Sequence, residues 1–391
     1  MMHRPSFSSA SIAPVRLLAG LILALLLLGP APSIAQPAAP SVTSTSPAIR
    51  LTLSGGIQTR ASYSWLSNVG GEDTPNRLGA GIRRARFRVL AEIGPRTSVF
   101  MQLEGTGPTF LDFWAAYQWN ERVRLRLGRF ISAQPRSFIQ TGMPYIDTVA
   151  RPAIAERWGA QTLGSDGRDF GLEAQLRFEE AELLLYLHNG DGNWNRARGN
   201  VREDISGGDV LRGVDNVGLA ASVSGVVRPA SVEGLEAGAF VSYNASKNPN
   251  TEAFGIGRSY GSYGAHVYWG ARPGSQPVRL KADLLGIRYQ TLDLGAQNFE
   301  QQVLGLAVLA AGRLSPASEA FVRVEEYNPN TEAGGDISER FVTFGATYSL
   351  SAHQGQPFHR QRVTLAYSGL FPEDSDLPRQ HQLILQFQVW F

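Results

Sequence analysis

Two runs of arginine, each with a spacing of two residues, carry the clearest chemistry in this sequence. The members of the first run are Arg84, Arg86 and Arg88, and those of the second are Arg122, Arg124 and Arg126. A spacing of two places all the members of a run on one face of a β-strand. Guanidinium groups stay charged at any relevant pH and present planar donors that suit carboxylate or phosphate oxygens. The runs therefore predict an anion-binding surface along two strands.

The residues that alternate with these arginines indicate the environment of the opposite face of each strand. They are apolar: Ala85, Phe87, Val89 and Ala91 in the first strand, and Val123, Leu125 and Leu127 in the second. An arginine that faced lipid near the bilayer midplane would cost about 2 to 4 kcal/mol. We therefore expect the apolar face to meet lipid and the arginines to line a wet interior.

The last eleven residues repeat this alternation up to the end of the chain. Leu383, Leu385, Phe387, Val389 and Phe391 share one face, and glutamines occupy the other. The pattern fits a wall with lipid outside and water inside. The terminal Phe391 resembles the signal by which the barrel-insertion machinery recognises its clients.

Alternating segments continue through most of the chain and predict sixteen strands. They lie near 50–65, 79–94, 96–105, 109–119, 121–130, 168–178, 181–190, 213–227, 234–245, 260–271, 278–289, 298–313, 317–327, 338–350, 360–370 and 381–391. Short connectors alternate with longer ones, as periplasmic turns alternate with outer loops in membrane barrels. The fold class is therefore predicted as all-β, a transmembrane antiparallel β-barrel whose interior is too wide for side chains to fill.

The front of the chain predicts export. Arg4 and Arg16 precede the apolar run 17–28, and a Ser33-Ile34-Ala35 site follows, so residues 1–35 read as a signal peptide. Residues 36–49 are expected to form a disordered leader, and residues 50–391 the barrel, in the outer membrane of a Gram-negative-type bacterium. Without the signal, 36 basic residues become 34 against 34 acidic ones, which favours no nucleic-acid partner. Cysteine is absent, which excludes thiolate chemistry, and no cofactor or metal is indicated.

The longest connector, 131–167, is the third outer loop in this count. Its apolar residues argue for burial, and its charged residues are Arg136, Asp147, Arg151, Glu156 and Arg157. So long a loop in a compact domain is usually functional or disordered. We expect it to fold into the lumen as a constriction; a surface lid or a trimer contact is the alternative.

Several motifs resemble the phosphate-selective porins O and P, most strongly between about 80 and 192. They are Ile82-Arg83-Arg84-Ala85-Arg86-Phe87, Leu127-Gly128-Arg129-Phe130, Glu156-Arg157 before Gly167-Arg168-Asp169-Phe170-Gly171, and His188-Asn189-Gly190-Asp191-Gly192. The resemblance implies a homotrimer of sixteen-stranded barrels in outer-membrane lipid that passes small anions such as phosphate. Because the only lysines are Lys247 and Lys281, the binding groups would have to be arginines.

Three other functions stay open at this point. If the arginines pair with acids across the pore, the protein is a general porin with weak charge preference. If the long loop plugs the lumen, it is a structural barrel. An enzyme is disfavoured because the histidines after the signal, His188, His266, His353, His359 and His381, lie in unrelated segments. The segment 191–195 has alternating oxygen ligands like a calcium loop, but Arg196 stands where that loop needs a glycine, and no glutamate closes the motif.

Overall fold

The computed structural model describes residues 42–45, 49–67, 76–107, 109–140, 142–162, 167–190, 219–244, 259–290, 300–332, 335 and 337–391. Within these ranges the strands are β1 (Val42–Thr45), β2 (Ile49–Ser67), β3 (Arg77–Ile93), β4 (Thr97–Glu104), β5 (Thr109–Gln118), β6 (Val123–Phe130), β7 (Asp169–Arg177), β8 (Ala181–His188), β9 (Ala220–Val227), β10 (Leu235–Asn244), β11 (Ser259–Trp269), β12 (Val278–Gln290), β13 (Glu300–Ser315), β14 (Ser318–Asn328), β15 (Glu339–Ser349), β16 (Gln361–Pro372) and β17 (Arg379–Trp390). Two short α-helices are α1 (Ala153–Gln161) and α2 (Leu350–His353).

Strands β2 to β17 form a closed antiparallel barrel, which confirms the predicted fold class. Each strand pairs with the next one along the chain, and β17 pairs with β2 to close the ring. The predicted strand ends agree with the observed ones to within two residues, except at the start of β9. That strand is predicted from 213, and residues 213–218 lie outside the described part of the chain.

The short strand β1 adds to the predicted sixteen. It pairs with the first residues of β2, from Val42 opposite Leu53 to Thr45 opposite Arg50. Strand β17 covers the same edge of β2 only from Gly56 onward. The two strands therefore share one edge of β2, and a paired segment lies within 36–49, where the sequence predicts a disordered leader. The predicted signal peptide and the segment 191–195 lie outside the described residues.

The two faces of the strands differ as the alternation predicts. Along β17, Leu383, Leu385 and Phe387 are exposed, whereas Gln386 and Gln388 are buried. We call the face that carries these glutamines, opposite the exposed apolar residues, the polar face. An apolar face that is exposed around a closed barrel is the arrangement expected of strands in lipid. Among the described residues, no helix is long and apolar enough to cross a membrane.

Strand β3 contains a β-bulge that strict alternation does not predict. Gln58 lies opposite Arg84, but the next residue of β2, Thr59, lies opposite Ile82, so Arg83 is the extra residue. A bulge of this kind shifts the alternation by one residue. The face assignments made for 84–91 hold on their own side of the bulge, whereas residues before Arg83 follow the opposite parity.

The segment 131–162 packs on the polar face of the barrel. It contains a π-helical turn (Arg136–Gln140), a 3-10 turn (Met143–Tyr145) and α1. The side chains of Phe138, Ile154 and Trp158 are at most 1% exposed, and they share one apolar cluster with strand residues such as Phe240 and Ile287. This cluster fixes the position of the segment against β10 to β14.

Candidate functional site

The first arginine run lies on the polar face of β3. Arg84 is only 4% exposed and donates to the side-chain oxygen of Gln58 at 3.0 Å. Arg86 forms an ion pair with Glu104 at 3.0 Å. Arg88 donates to Gln102, and its guanidinium carbon lies 4.5 Å from the ring centroid of Trp390. The three members of one run thus have different partners, and only Arg86 meets a carboxylate.

The second run is divided between a turn and a strand. Arg122 is exposed in the turn before β6, which begins at Val123. It therefore lies outside the strand on which the sequence pattern placed it. Arg124 donates to the Ser98 hydroxyl at 3.1 Å. Arg126 pairs with Glu173 at 2.6 Å and lies 3.8 Å from the ring centroid of Phe130.

These contacts divide the arginines into two groups. Arg86 and Arg126 are neutralised by carboxylates, whereas Arg84, Arg88 and Arg124 have neutral acceptors in Gln58, Gln102 and Ser98. Neutral acceptors orient a guanidinium group without cancelling its charge. The polar face of β3 and β6 therefore retains positive charge while part of the ladder is paired.

Further arginines that our sequence reasoning missed lie on the same face. Arg60 donates to the side-chain oxygen of Gln386 at 2.8 Å and to the backbone carbonyl of Val149. Arg168 holds Asp112 through two hydrogen bonds of 3.1 Å. Arg60 could have been found because it follows Gln58 at a spacing of two. Arg168 could not, because it stands just before β7, outside any regular alternation.

The charged residues of the 131–162 segment mostly pair with acids and bases of the wall. Arg136 pairs with Glu236 at 2.5 Å, and Arg157 with Glu339 at 2.8 Å. Arg151 and Glu156 lie within the segment itself and approach to 3.7 Å. The structure thus places these four predicted residues in ion pairs, two with strand residues of the wall and one within the segment.

Asp147 is the fifth predicted residue and anchors the segment to β12. It receives hydrogen bonds from Arg279 at 2.5 Å and from Lys281 at 2.8 Å. Burial alone would raise the pKa of Asp147, but the charges of Lys281 and Arg279 outweigh it and lower this pKa to about 2. The carboxylate is therefore ionised, and the anchor intact, throughout the physiological pH range.

The middle of the segment reaches the connectors at the end of the barrel opposite to the one where it begins. Tyr145 lies 4.7 Å from the ring of His359, which follows α2, and 4.8 Å from the guanidinium carbon of Arg272. Arg362 donates to the backbone carbonyl of Ile146 at 2.6 Å. Burial and the charges of nearby arginines, Arg362 first, lower the pKa of His359 to about 4. His359 is therefore uncharged at pH 7.

In the described part of the chain, cavities of about 750 and 250 Å³ lie between the segment and the wall. The larger, about 750 Å³, is lined by Arg77, Arg157 and Arg323 together with Glu156 and others. The second, about 250 Å³, is lined by residues of β3 to β6 and by Gly142 and Met143 of the segment. Arg151 lines both cavities. Its burial, and next the charges of Arg86, Arg168 and Arg83, lower the pKa of Arg151 to about 10, although the charge of Glu156 acts in the opposite direction.

The structure corrects the expectation that the histidines stand apart from Ser and Asp residues. His188 lies 2.8 Å from Asp169 through Nδ1 and 2.8 Å from Ser222 through Nε2, and Ser222 donates to Ser242 at 2.8 Å. The sequence could not show this contact because these residues belong to four different strands. His188, Asp169 and Ser222 are at most 2% exposed. Their burial and mutual satisfaction fit a polar network that ties β7 to β10 together.

Comparisons with known structures agree with the fold. The anion-selective porin from Comamonas acidovorans aligns over 88% of this chain and 100% of its own, with a TM-score of 0.60 and 14% identity. The outer membrane channel DcaP of Acinetobacter baumannii gives a TM-score of 0.60 with 11% identity over 89% and 99% of the two chains. Salmonella typhi OmpF, in complex with daunomycin, gives 0.54 with 14% identity over 89% and 100%.

These likenesses define the architecture as that of outer-membrane porins. No family model and no curated protein sequence matches the chain. At identities of 14% or below, the alignments show a shared barrel fold and do not indicate a shared solute.

Proposed function

We propose that the protein is an outer-membrane porin that lets small hydrophilic solutes diffuse passively and prefers anions. The observation that carries this proposal is the set of arginines with neutral acceptors, Arg84, Arg88 and Arg124, on the polar face of the barrel. Ring charges set selectivity only when they are not cancelled by neighbouring charges. The anion selectivity named for the Comamonas acidovorans porin, which shares the fold, supports the same direction.

The 131–162 segment is proposed to narrow the lumen rather than to plug it. It packs on the polar face through Phe138, Ile154 and Trp158 and is anchored by Asp147. Cavities of about 750 and 250 Å³ remain beside it. Spreading attraction over several weak sites, rather than one deep one, favours passage of an ion. Phosphate is a candidate solute, since arginine donors suit its oxygens.

The same interpretation covers the export, the membrane location and the assembly of the protein. We infer that residues 1–35 direct export, that Phe391 serves the insertion machinery, and that the exposed apolar face contacts outer-membrane lipid. A homotrimer is the assembly that the resemblance to the phosphate-selective porins implies. Cross-linking of the protein in native membranes should give a species of three chains, and a monomer alone would reject this assembly.

The selectivity is tested by planar-bilayer conductance of the purified protein with a salt gradient across the membrane. We expect discrete channels and a reversal potential of anion sign. A reversal potential of cation sign would reject the anion preference, and the absence of conductance would indicate a plugged barrel.

A general porin with little charge preference is the second candidate. It is favoured by the pairs Arg86 with Glu104 and Arg126 with Glu173, which cancel charge within the ladder. Under this alternative the reversal potential in the same experiment would lie close to zero.

A further inference from the structure

The cavity of about 250 Å³ combines cationic and aromatic groups in one lining. Arg86, Arg88 and Arg126 contribute guanidinium groups, and Phe100 and Trp114 contribute rings. Asp112 is the carboxylate of this lining, and both of its oxygens are held by Arg168 at 3.1 Å. Glu104 and Glu173 pair with Arg86 and Arg126, so the uncancelled charge among these three groups is that of Arg88, which donates to the neutral Gln102. The lining therefore presents this positive charge next to apolar surface.

Three nitrogen donors of this lining are buried without an acceptor among the described residues. They are Nε2 of Gln102, Nε of Arg126 and Nε of Arg151. Gln102 is only 1% exposed, so its free donor cannot be satisfied by bulk solvent. Buried polar groups without partners are rare in proteins and call for a ligand or an ordered water. Three donors around one cavity fit a ligand that only accepts hydrogen bonds.

The aromatic side of the cavity favours an anion with a flat apolar part. The rings of Phe100 and Trp114 stack at 5.2 Å with an interplanar angle of 22°. The guanidinium carbons of Arg124 and Arg126 lie 5.0 and 5.3 Å from the Trp114 centroid. Guanidinium groups and aromatic faces both accept a further planar group by stacking.

The volume of the cavity also favours an organic acid over a small inorganic anion. A single water takes about 30 Å³ of liquid volume, so a lone tetrahedral anion would leave most of about 250 Å³ to water. An organic acid could place its carboxylate at the free donors and its ring against the apolar lining. We propose that this cavity binds small carboxylates that carry a planar ring. This inference rests on the proposed function, because it names a solute class for the same pore.

Equilibrium binding to the full barrel in detergent micelles tests the inference apart from conductance. The probes for isothermal titration calorimetry are benzoate, neutral benzamide of the same shape, non-planar cyclohexanecarboxylate, and inorganic phosphate. We expect benzoate to bind about tenfold more tightly than each of the other three. Equal binding of benzoate and cyclohexanecarboxylate would overturn the recognition of a ring, and binding of phosphate alone would overturn the class of ligand.

Two variants locate the binding site. Gln102→Glu keeps an acceptor for Arg88 but replaces the free donor with negative charge, so benzoate binding should be lost while the barrel stays folded. Trp114→Leu should weaken benzoate by about tenfold. Trp119→Leu is the matched control, because this tryptophan follows the same strand, is 63% exposed and does not line the cavity; its affinity should be unchanged.

The outcomes separate this inference from the proposed function. If benzoate does not bind but the bilayer reversal potential has anion sign, the ring-carboxylate site is wrong and the porin stands. If all three variants bind benzoate alike, the site lies elsewhere and the inference is also rejected. If no channel conducts, the proposed function fails whatever the calorimetry shows.

Discussion

Selectivity should depend on the arginines with neutral acceptors and not on the paired ones. The decisive variant replaces Arg84, Arg88 and Arg124 together by Gln, which keeps much of their length and polarity but removes three charges. In water, two unit charges about 8 Å apart interact by about 0.5 kcal/mol. Salt near 0.1 M, with a Debye length of about 10 Å, reduces each interaction to about 0.2 kcal/mol. Three charges then favour an anion by about 0.7 kcal/mol and disfavour a cation by the same amount, a difference of about 1.4 kcal/mol, so we expect the anion-to-cation permeability ratio to fall roughly tenfold.

The reversal potential in a planar bilayer with a salt gradient near 0.1 M measures this ratio, because the Debye length there is about 10 Å. The matched control is Arg86→Gln with Glu104→Gln, which removes an ion pair and leaves the net charge unchanged. The control should keep the ratio of the original protein. An unchanged ratio in the triple variant, or an equal fall in the control, would refute the assignment of selectivity to uncancelled charge.

Three further predictions concern stability, each measured by urea unfolding in micelles. Asp147→Asn leaves buried cations without their carboxylate and should cost about 3 kcal/mol, whereas Glu156→Gln, from a looser pair at 3.7 Å, should cost less than about 1 kcal/mol; equal costs would contradict the anchor. As pH falls from 6.5 towards 4, the unfolded chain protonates its His359 before the folded barrel does, so the free energy of unfolding should decrease over this range. His359→Gln should flatten that slope, and a slope that survives would exclude this histidine. Gly128→Ala should prevent folding or cost more than about 3 kcal/mol, because Gly128 has a φ of +136° and an added Cβ would lie 2.3 Å from the carbonyl oxygen of Phe113; a mild effect would refute the strain argument.

The barrel itself could be predicted closely from local pattern. An alternation of period two reports at each residue which face meets lipid, and this needs no knowledge of distant neighbours. The strand ends from β2 to β17 were therefore found to within two residues apart from the start of β9, whose predicted part is not described. The position of the long connector after β6 followed from the same pattern, because it is where the alternation stops.

The bulge in β3 shows where local pattern fails. Arg83 and Arg84 are adjacent in the sequence, and nothing in their types says which of them is the extra residue. The structure decides it through the register between β2 and β3, in which Gln58 lies opposite Arg84 and Thr59 opposite Ile82. As a result Arg77, which strict alternation would turn to lipid, lines the larger cavity.

The sequence by itself determined a lipid-facing and a polar face, the strands that carry them and the arginine runs on the polar one. The tertiary structure alone decided which charges are cancelled, because Arg86 pairs with Glu104 and Arg126 with Glu173 across strands, whereas Arg84 donates to the neutral Gln58. It also decided that His188 meets Asp169 and that Asp147 reaches β12. The physical reason is that the orientation of a side chain follows from the period of its own strand. Its partner depends on the register of other strands and on the path of a connector, which no local spacing encodes.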